Sequence, residues 1–110
     1  EYFITQPVYD MGVVDTFYDL YRNSFLEDIK VPILWGIQIP DVNCISLTAF
    51  PDWVDNALHD GEDPAKIALR MYKDFSSRGL KDIYIVPTIY KGGHRNYSLA
   101  NTFISMANQI

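Results

Sequence analysis

Short runs of apolar residues alternate with amphipathic segments along the chain, and the two patterns predict strands and helices. The apolar runs cover residues 2–5, 32–39 and 83–88. Aromatic and β-branched side chains suit a pleated surface, and a continuous apolar run is typical of a strand that is buried on both faces. The middle run lies between two prolines in VPILWGIQIP and is too short for an ordinary helix. We therefore predict three buried strands.

Helical periodicity occupies the intervals between these runs. Apolar residues recur every three or four positions from Val14 to Phe25, with Asp10 as a candidate N-cap. Asp63-Pro64 is typical of a helix start and Gly79 of a helix end. The residues from 41 to 60 show less regular periodicity. After the sequence KGGHRN, a last helix is predicted from three apolar side chains on one face: Leu99, Phe103 and Met106.

The predicted order of strands and helices indicates an α/β fold with parallel pairing and right-handed crossovers. Two architectures satisfy this order, an open doubly wound sheet and a (β/α)8 barrel, and both bind ligands at the carboxyl ends of their strands. With 110 residues, the chain is expected to form a single domain over residues 1–110. The polar side chains at the predicted strand ends are Gln6, Gln38 and Thr88.

Composition narrows the class of protein. Hydrophobic residues make up 48% of the chain and aromatic residues 15%, which is typical of a globular protein. A net charge of −5 argues against a nucleic-acid surface, which needs clustered Lys and Arg. Cys44 is the single cysteine, so no internal disulfide is expected, and a reducing, cytoplasmic compartment fits best. No membrane span or signal peptide is visible. Because the sequence begins inside a strand, we expect a fragment of a larger protein.

Residue types that carry chemistry give few local motifs. His59 and His94 lack the spacing of metal ligands, so no metal site is predicted. The Gly92-Gly93 pair could cradle a phosphate or form a turn, and the absence of a phosphate-binding motif favours the turn. Gln6 could cap a loop or bind a ligand. These patterns alone predict a parallel α/β domain whose site lies at the strand ends.

Four segments in order carry a family resemblance. They are FITQPVYD at residues 3–10, PILWGIQIP at 32–40, FPDW at 50–53, and ALRMYKDFSSRGLKDIYIVPTI at 68–89. They resemble the sixth strand, the seventh strand, the next helical segment, and the last helix and strand of the methylenetetrahydrofolate reductase family. That resemblance covers the whole chain. It implies a (β/α)8 TIM barrel of which this chain supplies the last three βα units.

The resemblance implies a flavin-dependent oxidoreductase of one-carbon metabolism. In that family FAD takes a hydride from a nicotinamide cofactor or other electron donor. The hydride then reduces 5,10-methylenetetrahydrofolate to 5-methyltetrahydrofolate, which serves methionine biosynthesis. Gln6 matches the glutamine that contacts the pterin ring, and a carboxamide can pair with the pterin's polar edge. The other folate-binding residues that the resemblance implies are Asn56, Leu58, Tyr90, Lys91 and Arg95.

The chain departs from the family pattern in two ways. The eighth-strand pattern H-x-Y-T becomes YIVPT, and the loop KGGHRN is longer than in the typical bacterial enzyme. The FAD-binding strands and the acidic catalytic residue would lie before Glu1, so none of these residues is assigned here. The rest of the barrel, or another subunit, is the expected partner. The alternative is a non-catalytic folate-binding or assembly subunit that completes a barrel with another chain.

Overall fold

The fold is a three-stranded parallel sheet with helices, followed by a small hairpin. It is taken from a computed structural model that describes residues 3–9, 11–22, 33–80 and 82–109. The elements in chain order are β1 (Phe3–Pro7), α1 (Met11–Arg22), β2 (Ile33–Gln38), α2 (Asp52–His59), α3 (Pro64–Ser77), β3 (Ile83–Val86), β4 (Thr88–Ile89), β5 (Arg95–Asn96) and α4 (Tyr97–Ala107).

The main sheet has the order β1-β2-β3, and both pairings are parallel, which confirms the prediction of three consecutive parallel strands. The third strand is shorter than predicted. It ends at Val86 because Pro87 lacks the N–H that would continue the ladder. The prediction that this strand continues through Thr88 is therefore wrong. Thr88–Ile89 instead pairs antiparallel with Arg95–Asn96.

The caps predicted for the long helix are present in α3. The carboxylate of Asp63 accepts a hydrogen bond from the Ala65 N–H at 2.9 Å. At the other end Gly79 has φ of 76°, and the Leu80 N–H reaches the Phe75 carbonyl at 3.0 Å, which closes the last turn.

The other helix predictions had mixed outcomes. The stretch 41–60 has less regular periodicity, and its second part forms α2, which begins within the FPDW segment that was matched to a helical segment. The first predicted helix is present as α1, whereas its candidate cap Asp10 and its last apolar residue Phe25 lie outside the described residues.

The hydrophobic core lies between one face of the sheet and the helices. Trp35 and Ile37 of β2 are in register with Ile83 and Ile85 of β3, so all four side chains share that face. Trp35 packs against Phe75 of α3, with ring centroids 6.0 Å apart. The largest side chains that are fully buried in this core are Trp35, Phe75, Phe103, Ile37, Ile39, Ile67 and Met71.

The opposite face of the sheet is only partly covered by the described part of the chain. Ile4 is 59% exposed, and its register partner Leu34 is half-buried. Tyr84 and Val86 of β3 are also half-buried on this face. Parallel sheets are normally covered on both faces. This open apolar face is therefore a surface on which further protein structure can pack.

A glycine in the central strand permits a cross-strand contact on the open face. The Tyr84 side chain lies across Gly36, and its hydroxyl donates a hydrogen bond to the Thr5 carbonyl. The Thr5 hydroxyl in turn accepts a hydrogen bond from the Gly36 N–H at 3.0 Å. A Cβ atom at residue 36 would lie 2.5 Å from the Tyr84 hydroxyl oxygen, so only glycine leaves room for this bridge.

We expect Gly36→Ala to lower the free energy of unfolding by about 1 to 3 kcal/mol, because the new methyl group must displace the Tyr84 ring and break its hydrogen bond. Urea denaturation of the purified protein measures this loss. In a Tyr84→Leu background the clashing atoms are absent, so the same change should cost much less. An equal cost in both backgrounds would show that the Tyr84 contact is not the cause.

Candidate functional site

The carboxyl end of the main sheet is overlaid by the loop after β2 and by the β4–β5 hairpin. Cys44 in the loop forms an antiparallel bridge with Tyr90, and the Ile45 N–H donates to the Ile89 carbonyl at 2.7 Å. Thr88 is buried, and its hydroxyl donates to the Ile39 carbonyl at 2.9 Å. The loop and the hairpin therefore form one connected layer at the end where parallel α/β proteins bind ligands.

Gln38 fixes this loop to the end of β2. Its side chain is completely buried, its Nε2 donates to the Ile45 carbonyl at 2.8 Å, and its Oε1 accepts from the Leu47 N–H at 2.9 Å. A buried carboxamide with both ends paired is satisfied by the protein itself. The sequence identifies Gln38 only as a strand-end residue, and its role as a loop anchor was not predicted.

Gln6 lies at the corresponding end of β1 and has the opposite environment. Its side chain is exposed, and it precedes the buried Pro7 at the end of the strand. Neighbouring strands lie about 4.8 Å apart. The end of β1, which carries Gln6, is therefore roughly 10 Å from the end of β3, after which the hairpin begins. An exposed carboxamide at this position is available to a ligand, and its contact with a pterin stays a prediction.

The hydroxyl of Tyr90 is engaged by protein groups. It donates a hydrogen bond to the Asp41 carboxylate at 2.5 Å and accepts one from the Asn96 side-chain amide at 3.2 Å. The bond to Asp41 is the main cause of a raised pKa for Tyr90. The Tyr90 ring stacks on His94, with centroids 6.2 Å apart. Because the hydroxyl is already hydrogen-bonded, the ligand contact predicted for Tyr90 has to be made by its ring.

Lys91 and Arg95 are exposed on the same hairpin as Tyr90. Gly92 and Gly93, with φ of 92° and 86°, form the turn between them, as the sequence analysis favoured. Lys91 lies in the turn and Arg95 in β5, and two cations on one short hairpin suit the carboxylates of an anionic ligand.

The remaining predicted folate residues belong to α2. Asn56 is exposed, whereas Leu58 is half-buried and packs against the core. Trp53 on the same helix is half-buried. Its indole N–H donates to the Tyr9 carbonyl at 3.1 Å, which attaches α2 to the segment after β1. Asn56 is therefore the more accessible of the two predicted contacts on this helix.

Tyr9 is a second residue at this end of the sheet that sequence reasoning missed. It is 4% exposed, its hydroxyl donates to the Gln38 carbonyl at 2.8 Å, and its ring meets Phe50 edge-on at 5.1 Å. Burial raises its pKa far above the usual range of a phenol. Its position two residues after Pro7, outside any periodic segment, offered no signal for this role.

The lone thiol is not poised for nucleophilic chemistry. Burial is the main cause of a raised pKa for Cys44, and the negative charge of Asp41 acts in the same direction. Because the thiolate is the reactive form, a raised pKa makes Cys44 a weaker candidate for nucleophilic chemistry.

Within the described ranges, no three residues of metal-ligand type gather into a site. No helix in those ranges combines the length and apolar character needed to cross a membrane. No protein-family model, curated protein or solved structure matches the chain.

Proposed function

We propose that this chain supplies the folate side of a flavin-dependent reductase that converts 5,10-methylenetetrahydrofolate to 5-methyltetrahydrofolate. The observation that carries the proposal is an exposed Gln6 at the carboxyl end of the first of three consecutive parallel strands. That is where the resemblance to methylenetetrahydrofolate reductases expects the glutamine that contacts the pterin. Bound FAD would supply the hydride chemistry, fed by a nicotinamide cofactor or another electron donor.

The architecture supports a sector of a (β/α)8 TIM barrel. In such a barrel, consecutive strands are neighbours, helices cover the outer face, and the inner face meets the other strands. The order β1-β2-β3, the core on one face and the open face bearing Ile4 and Leu34 agree with that arrangement. Three strands cannot close a barrel, so the proposal requires the other strands to come from another part of the protein or from another subunit.

The predicted residues contact different parts of the folate in this proposal. The Gln6 carboxamide offers one donor group and one acceptor group to the complementary edge of a pterin. Lys91 and Arg95, both exposed on the hairpin, attract the carboxylates at the other end of the folate. The Tyr90 ring, held by Asp41 and Asn96, offers a flat surface to the aromatic part between them. We therefore propose that this chain binds and orients the folate substrate.

Replacing Gln6 with leucine in the assembled enzyme should weaken folate binding, and with it the folate half-reaction, by about five- to more than a hundredfold, because the pterin edge loses a partner that contributes about 1 to 3 kcal/mol. Flavin reduction by the nicotinamide cofactor should change little, since that step does not require the pterin contact. Rapid-mixing absorbance measurements of the two half-reactions give both rates.

Equal losses in the two half-reactions would show that Gln6 has a structural role instead. The same open sheet face also favours the alternative, a non-catalytic folate-binding or assembly subunit. Flavin absorbance in the assembled sample separates the two functions. A colourless complex that binds folate would support the alternative and contradict the reductase.

A further inference from the structure

A groove between α3 and α4 lies apart from the candidate folate residues, none of which lines it. It has a volume of about 390 Å³ and lies on the helical layer. Its lining combines three cations, one carboxylate and two apolar side chains: Lys66, Arg70, Lys73, Glu62, Leu69 and Met106.

The groove carries positive charge, whereas the whole chain has a negative net charge. Three of the nine Lys and Arg residues line it, in a protein whose net charge is −5. Among the described residues that line the groove, Glu62 is the only acid, so they carry a local excess of two positive charges (three minus one). Lys66, Arg70 and Lys73 follow one another at intervals of four and three residues, so they share one helix face over roughly 10 Å.

The central cation is held in place by two contacts. The Arg70 guanidinium lies over the Trp53 ring, 5.0 Å from its centroid, and one of its nitrogens pairs with Glu62 at 2.9 Å. Such a guanidinium is partly ordered before any ligand arrives, which lowers the entropy cost of binding. The lysines on either side are exposed and can adjust to the ligand. Leu69 and Met106 supply an apolar wall beside them.

We propose that this groove binds a linear oligophosphate group carried by a small molecule. A row of three cations along roughly 10 Å of helix matches a chain of linked phosphates better than a single compact anion. The planar guanidinium can hold one phosphate through two hydrogen bonds, and the ammonium groups neutralise the others as point charges. The apolar wall would contact the body of the same molecule.

Titration of the purified chain with inorganic tripolyphosphate at low ionic strength tests the site. The signal is the intrinsic tryptophan fluorescence, to which Trp53, in contact with Arg70, and Trp35 both contribute. We expect saturable binding, tighter for tripolyphosphate than for monophosphate, that weakens as NaCl is added. Lys66→Gln and Lys73→Gln should each weaken binding by about three- to fivefold. Arg70→Lys should also weaken it although the charge is kept, because the stacked, planar donor is lost.

Arg78→Gln is the matched control, since it removes one positive charge from a residue that pairs with Asp15 and does not line the groove, and it should leave the affinity unchanged. Circular dichroism and thermal melting of every variant establish that the fold is retained. Three results would each overturn the proposal: no saturable binding, an equal loss in Arg78→Gln, or tighter binding of citrate than of tripolyphosphate. These results do not test the proposed reductase activity, because none of the measurements involves folate or flavin.

Discussion

Truncation of Trp35 to alanine should lower the free energy of unfolding by about 3 to 5 kcal/mol. This side chain is 2% exposed, lies in the central strand β2 and packs against Phe75 of α3. Removing the indole leaves a cavity between the sheet and the helix that the surrounding backbone cannot close. Urea denaturation followed by far-UV circular dichroism measures the change.

The second tryptophan provides the matched control. Trp53 is half-buried and makes one hydrogen bond to the Tyr9 carbonyl. Trp53→Ala should therefore cost less, about 1 to 2 kcal/mol, from one lost hydrogen bond and partial burial. A cost for Trp53 as large as that for Trp35 would contradict this account and would place α2 in the central core.

The main sheet and the long helix were predictable because their signals are local. A continuous apolar run between turn residues has few interpretations other than a buried strand, and its crossovers require parallel pairing. The ends of α3 were fixed by chemistry within a few residues, namely the Asp63 cap and the left-handed Gly79. Neither feature depends on the rest of the fold.

The hairpin was not predicted, although its paired residues lie only six to eight positions apart in the sequence. Pro87 interrupts an apolar run that otherwise continues as a strand, and the residues after it turn away to pair with Arg95–Asn96. The bridge between Cys44 and Tyr90 joins residues 46 positions apart, in segments without a periodic pattern. Tertiary contacts therefore decided the structure at the carboxyl end of the sheet.

The two glutamines at the strand ends show that local sequence could not predict the candidate site either. Gln6 and Gln38 each follow an apolar run and precede a proline, directly or after one residue, so their local sequences look alike. The structure exposes the first and buries the second. The difference comes from Ile45 and Leu47, whose backbone groups reach the Gln38 amide from a loop with no regular pattern.

Gln38→Leu should lower the free energy of unfolding by about 2 to 4 kcal/mol, because two hydrogen bonds are lost and the backbone groups of Ile45 and Leu47 lose their partners. Urea denaturation measures the loss, and faster amide exchange at Leu47 would report release of the loop. Gln6→Leu is the matched control. Because Gln6 is exposed, its replacement should change stability by less than about 0.5 kcal/mol.

Gln38→Glu separates the two hydrogen bonds. An ionised glutamate can still accept from the Leu47 N–H, but it cannot donate to the Ile45 carbonyl, and burial disfavours its charge. Its pKa in the folded protein should therefore rise above the unfolded value of about 4.3. The folded state then binds the proton more tightly, so the variant loses stability relative to the parent as the pH rises above that value. The difference in unfolding free energy should be largest near pH 7 and should shrink toward pH 4, where the protonated acid can again donate to Ile45. A difference that does not vary with pH would show that the buried amide donor does not anchor the loop.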